Sequence, residues 1–218
     1  MDSDLSYKWW VENRFLRYID LEARNNIFWR RTNGELRSWD LTQSVEFYLQ
    51  NRISFEYAYN NEFKLFDKKY YNHQHSFELG YNTAEWSHAS AELTFGRNFD
   101  RDFYRIEGGG RIKLTDQLAA QYMADYVNFT PDTTRSSTFI NVLNLTYNIT
   151  NNLWFEVFMQ SRSNTDRLYL YGKAGWRFRP PFGALYIIYT HDQEFMLDER
   201  LNADVFFIKL TLPISIIK

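Results

Sequence analysis

The sequence predicts an all-β chain: a transmembrane, antiparallel, up-and-down β-barrel of about 12 strands, within a range of about 12–14. Three observations carry that expectation. First, between Arg37 and Leu65 two runs alternate almost strictly. Trp39, Leu41, Val45, Phe47 and Leu49 interleave with Ser38, Asp40, Thr42, Ser44 and Glu46, and Ile53, Phe55, Tyr57, Tyr59, Phe63 and Leu65 interleave with Arg52, Ser54, Glu56, Asn60, Glu62 and Lys64. Successive side chains of a strand point to opposite faces, so each run is a ribbon with one greasy and one charged side. Second, each run outlasts the usual globular strand of ~5–6 residues. Third, the chain is polar on average, with a mean hydropathy of -0.53, yet 19% of it is aromatic. A barrel reconciles these values, because half of every strand faces the lumen and stays polar.

Period-two runs between turn signals predict strands near 15–31, 36–50, 52–66, 70–83, 86–98, 102–115, 117–129, 136–148, 152–163, 167–179, 183–192 and 202–213. Residues 1–14 are an N-terminal extension or an additional strand, with a short run from Leu5 to Val11, and 15–218 form the barrel. The first strand rests on Ile19, Leu21, Ala23, Ile27 and Trp29, and the second and third on the two runs above. Ala89, Ala91, Leu93 and Phe95 mark the fifth. Leu143, Leu145 and Tyr147 mark the eighth, and Leu153, Phe155, Val157 and Met159 the ninth. Phe206, Ile208, Leu210 and Leu212 mark the last. All of these belong to the expected lipid face. Trp29, Trp39, Tyr81, Trp86, Tyr126 and Trp176 near strand ends suit aromatic girdles at the two interfaces. Gly108-Gly109-Gly110 falls inside a strand, where glycine permits a bend, a bulge or close backbone approach, and reads as a barrel corner.

The connections divide into two sets. Gln50-Asn51-Arg52, Thr83-Ala84-Glu85, Thr115-Asp116-Gln117, Asn148 to Asn152 and Arg179 to Gly183 are short. Phe66 to Tyr70, Asn98 to Asp102, Phe129 to Ser136, Ser163 to Arg167 and His191 to Asn202 are generally longer and more charged, with Asn33-Gly34 a tight type I′ turn among them. Short turns on one side and long loops on the other would orient a barrel in its membrane.

Composition narrows the classes of function. A net charge of -2 gives no general pull toward nucleic acid. No segment approaches the ~20 apolar residues of a helical span. Met1-Asp2-Ser3-Asp4 lacks the basic and apolar regions of an export signal. A removed signal, or a missing N-terminal domain ahead of this chain, is therefore expected.

The expected lumen is charged and sorted along the chain. Early strands supply mainly acids, Asp40, Glu46, Glu56, Glu62, Glu78 and Glu92, whereas later ones supply mainly bases, Arg105, Arg111, Lys113, Arg162, Lys173, Arg177 and Lys209. In a closed barrel such a distribution would set a field across the interior that orients a small polar solute, or would pair and plug it.

Catalytic and metal chemistry is weighed on four histidines. His73 and His75 share a strand face, but zinc sites use three or four ligands and no third is evident; neither a metal nor a cofactor is expected. His88 and Ser90 place an imidazole and a hydroxyl on one face, as nucleophilic catalysis requires, and resemble the His-x-Ser pairing of outer-membrane phospholipase A. The period puts them with Glu92 and Thr94 on the inner side, away from acyl chains. A lipid or ester hydrolase is thus the alternative to a non-enzymatic barrel, and a soluble β-rich binding protein is a third. Glu194, Asp198 and Glu199 fall in the last expected loop, where a solvated acidic segment is the ordinary reading.

The C-terminal part carries Gln160-Ser161-Arg162-Ser163-Asn164-Thr165-Asp166-Arg167, then Gly172-Lys173-Ala174-Gly175-Trp176-Arg177-Phe178-Arg179-Pro180, Leu185 to Thr190 and Phe207-Ile208-Lys209-Leu210. Over residues 140–213 this resembles the terminal barrel, a domain of unknown function, of Gram-negative surface proteins that carry an N-terminal carbohydrate-binding module similar to family nine. The resemblance implies an outer-membrane location, a translocating or anchoring role linked to glycan or nutrient handling, and partners that include outer-membrane lipid. It assigns no catalytic residue.

Overall fold

The computed structural model describes residues 2–11, 13–32, 34–131, 137–179, 183–196 and 199–212, with no side chain described at 179, 195, 196 or 199. Thirteen strands and no helix make up the described chain: β1 Asp2–Trp10, β2 Leu16–Trp29, β3 Leu36–Leu49, β4 Ile53–Leu65, β5 Lys69–Tyr81, β6 His88–Asn98, β7 Arg101–Lys113, β8 Leu118–Thr130, β9 Thr138–Thr150, β10 Leu153–Arg162, β11 Arg167–Arg179, β12 Gly183–Met196 and β13 Glu199–Thr211. They follow one another in sequence order, up and down, and the order ends at β1 and at β13. Apart from β1 with 9 residues and β10 with 10, every strand is at least as long as the 11 residues of β6.

Contacts divide the chain into two compact units. One holds residues 1–108 with 126–137, the other 109–125 with 138–218. In the first, β1 to β6 pair antiparallel in turn, from Trp9↔Ile19 through Ile19↔Phe47, Phe47↔Phe55 and Phe55↔Leu79 to Leu79↔Ala91. In the second, Leu145↔Val157, Val157↔Gly172, Gly172↔Tyr189 and Tyr189↔Phe206 align β9 to β13 in the same way. Register in both units therefore gathers the apolar residues of each strand onto one face, as a period of two requires.

Neither unit is arranged around an ordinary core. In β4 and β5 several apolar side chains stand out in the open, with Phe55 49%, Phe77 48% and Leu79 50% exposed, whereas Phe63 is 6% exposed. Their polar neighbours on the other face are shielded: Ser54 is 4% exposed, Asn72 5% and, in β6, Thr94 6%. In the second unit Phe155, Val157, Ile187, Phe206 and Ile208 are exposed in the same manner. Among the described residues no large side chain is fully buried. Hydrophobic burial dominates the folding of water-soluble domains, and in both units much of the apolar face is exposed instead.

Several sequence expectations change. Residues 2–10 are a full strand, held by nine register partners from Asp2↔Asn26 to Trp10↔Tyr18, so the count is thirteen. The loop expected at 191–202 is mostly strand: β12 runs to Met196, β13 starts at Glu199, and Gln193↔Asn202 and Glu194↔Leu201 continue the ladder. These strand ends are polar, so a reading keyed to apolar alternation stops early. Asp198 and the side chain of Glu199 lie outside the described residues.

The contrast between short and long connections is not borne out either. By strand bounds, 11–15, 50–52, 82–87, 114–117, 151–152 and 180–182 match in length 30–35, 66–68, 99–100, 131–137, 163–166 and 197–198, so connection length orients nothing. The turn expected at Thr83-Ala84-Glu85 is widened by Asn82, which sits at φ 59 and whose side-chain amide donates to the carbonyl of Ser87.

Asn33 of the expected type I′ turn lies outside the described residues, while Gly34 has the left-handed φ of 72. The glycine triplet stays within β7. A Cβ on Gly109 would stand 2.6 Å from the carbonyl oxygen of Tyr122, which makes this a point of close backbone approach.

Candidate functional site

The shielded face of the first unit is where charge concentrates. Register sets Lys8, Asp20, Glu46, Glu56, Glu78 and Glu92 side by side, one from each strand from β1 to β6. Like charges directly opposite in a sheet are destabilising, by roughly 0.2–1 kcal/mol a pair. Local donors offset part of that. The ammonium of Lys8 stands 2.9 Å from Asp20, and Thr94 donates to Glu92 over 2.8 Å. Ser44, Ser54 and Ser90 add hydroxyls to the same face. Each carboxylate of the row faces one or two like charges.

Glu56 stands between Glu46 and Glu78, so Glu56→Gln relieves two repulsions and keeps the shape of the side chain. Denaturant unfolding should find it more stable by about 1 kcal/mol. Lys8→Gln should move stability the opposite way, since it strips Asp20 of its counter-ion.

A second row, Asn26, Asp40, Glu62 and Asn72, lies towards the turns at 66–68 and 99–100. Glu62 takes an ion pair from Lys64 at 2.7 Å and a hydrogen bond from Asn72 at 2.8 Å. Asp40, Glu62, Lys64, Asn72 and Phe99 line a polar cavity of about 310 Å³ there. The adjoining turns are tied by the ion pair of Lys68 with Asp100, and Phe66, Tyr70 and Phe99 pack ring against ring. Tyr70 donates to Asp67 over 3.0 Å and holds that carboxyl below its usual range, while Asp100 holds the Lys68 ammonium above its own.

All six acidic candidates therefore fall on one shielded face. The basic ones alternate with the exposed apolar residues of their own strands, so they too stand on the opposite face, but they make no such continuous row. Arg105, between exposed Tyr104 and Ile106, is half-buried in the first unit and paired with Glu107. In the second unit Arg111 and Lys113 sit at the exposed end of β7, each with a partner of its own. Lys173 is opposite Glu156 and bonded to it at 2.7 Å. Arg177 lies 5.1 Å from the ring of Trp154, whose indole N–H donates to Glu156 over 3.1 Å. Lys209 is opposite Tyr186, and Arg162 is opposite Arg167 at an exposed strand end.

The catalytic candidates are not assembled into a dyad. His88 Nδ1 lies 3.2 Å from the carbonyl oxygens of Glu85 and Trp86, and Ser90 stands opposite Gly80, on the face of Glu92. His73 and His75 stand on the exposed face with ring centroids 6.4 Å apart, and His75 Nδ1 meets the Tyr57 hydroxyl at 2.9 Å. Among the described residues no group of three or more His, Cys, Asp or Glu could hold a metal ion.

The row of carboxylates was beyond sequence reasoning, because parity assigns a face but only register assigns neighbours. The turn at 99–100 falls within the expected connection from Asn98 to Asp102, but its geometry was not legible in the residue types. Phe99 and Asp100 take φ 48 and 66 without a glycine or asparagine, held by the ring stack and by the Phe99 N–H donating to Asn72 at 2.9 Å.

No family model matches the chain, and no curated protein or solved structure matches it.

Proposed function

We propose that this chain is an outer-membrane β-barrel that acts, without catalysis, as a translocation pore or membrane anchor of a surface protein. The observation that carries the reading is the inversion of its faces: Phe55, Phe77 and Leu79 lie open while Ser54, Asn72 and Thr94 are shielded. Such a surface is unfavourable in water and favourable against hydrocarbon, whereas a hydrated interior suits the carboxylate row. Strand length agrees. The 13 residues of β4 and β5 exceed the ~9–11 that a tilted strand needs to cross a bilayer. A sheet that closes on itself would leave no unpaired edge in lipid. The link to glycan or nutrient handling rests on the resemblance over residues 140–213 alone.

Flotation of the refolded chain with liposomes, followed by conductance in planar bilayers, tests the reading. Flotation that resists alkaline wash, with discrete current steps, is expected of a pore. Flotation without current leaves the anchor, and failure to float refutes both.

A further inference from the structure

The exposed face of the first unit is not uniformly apolar. Two rows, Ile19–Phe47–Phe55–Leu79–Ala91 and Leu21–Val45–Tyr57–Phe77–Leu93, carry only apolar and aromatic groups. Two rungs further along, Asn61, His73 and Arg97 stand opposite one another on β4, β5 and β6. Adjacent strands are ~4.8 Å apart, so three such side chains span ~10 Å of surface. None of the three is spent on the sheet. Arg97 has one long ion pair, 3.9 Å to Asp100, and that carboxylate is already paired with Lys68. His73 meets only the ring of His75, and Asn61 makes no side-chain hydrogen bond among the described residues.

Their height on the sheet gives them a meaning. From Tyr81, at the far end of β5, to His73 the strand advances eight residues, ~26 Å along its axis and ~20 Å across a bilayer at a tilt of ~40°. The apolar band of a transmembrane barrel is ~25 Å tall, so the row falls near its upper boundary when Tyr81 marks the lower one. Tyr59 and Tyr71 flank it on the same face, as interfacial tyrosines do.

We propose that Asn61, His73 and Arg97 cradle the phosphate of a lipid headgroup at the membrane surface. The guanidinium supplies a paired donor edge for two phosphate oxygens, and the imidazole N–H and the amide supply further donors. Charge complementarity selects the occupant: basic and amide groups at the rim of a hydrocarbon band meet the phosphate of the lipid whose chains cover Phe77 and Leu93. This assignment rests on the membrane reading and goes beyond it by naming a lipid site.

Native mass spectrometry of the full chain in detergent tests it, with phosphatidylglycerol, diacylglycerol of the same acyl chains, and soluble glycerol phosphate as probes. Wild type should retain phosphatidylglycerol over diacylglycerol and take up no glycerol phosphate. His73→Gln with Arg97→Gln should lower phosphatidylglycerol retention by ~10-fold and leave diacylglycerol unchanged, while Arg97→Lys should lose less. An unchanged strand signature by circular dichroism keeps misfolding out of the comparison. Equal retention of both lipids by wild type and variant would overturn the cradle and spare the barrel. Uptake of glycerol phosphate as tight as that of the lipid would make the ligand a soluble phosphate and overturn the lipid assignment. Retention of neither lipid would remove both readings.

Discussion

Phe77→Arg should destabilise the chain in a bilayer by about 2–4 kcal/mol, the effect of a cation at the lipid-facing midplane of a barrel. Phe77 is 48% exposed and lies midway along β5 between Tyr81 and His73, in the row Leu21–Val45–Tyr57–Phe77–Leu93. In a water-soluble protein an arginine at so open a position would stay within ~0.5 kcal/mol of wild type, so solvent decides the sign of the comparison. Gln74→Arg, on the shielded face of the same strand, should be tolerated far better, because that face looks into water in a barrel. Urea titrations of both variants in liposomes measure the difference.

Gly96→Ala should lower stability by about 1–3 kcal/mol. Gly96 is opposite Gln74, and a Cβ there would run into the carbonyl oxygen of His73 and lie 2.7 Å from the Cα of Gln74. The obstacle is backbone on the neighbouring strand, so no rotamer change relieves it. The two strands would have to part where His73 and Arg97 stand opposite each other. Thermal unfolding of Gly96→Ala should give a lower midpoint, with the loss concentrated in pairing between β5 and β6. Gly172→Ala is the control, because nothing lies within 4 Å of a Cβ added there.

How far the sequence reaches can be followed through these same residues. Alternation placed Phe55, Tyr57 and Tyr59 on one face and Ser54, Glu56 and Asn60 on the other, because side-chain parity is local and survives errors in strand ends. It did not make neighbours of Glu46, Glu56, Glu78 and Glu92, since a shift of one register step would break the row while leaving each strand unchanged in pattern. Asn202 and Gln193 look like loop because polar alternation carries no hydrophobic signal. Phe99 and Asp100 fall in the expected connection from Asn98 to Asp102, but no turn-forming residue type marks their left-handed geometry, which the ring stack with Phe66 and Tyr70 stabilises. His73 was weighed as a metal ligand from its spacing to His75; its pairing with Arg97 needed the β5–β6 register.

The central claim is that Phe55, Tyr57 and Tyr59 of β4 touch hydrocarbon while Glu56, Ala58 and Asn60 touch water. The chain has no cysteine, so single cysteines at each position from Ile53 to Leu65 can be labelled in liposomes without background. The account predicts a period of two: a membrane-impermeant maleimide modifies positions 56, 58 and 60 through an open lumen, while 55, 57 and 59 react only with a lipid-soluble reagent. Fast modification of 55, 57 and 59 by the impermeant reagent would contradict it, because those side chains would then lie in water.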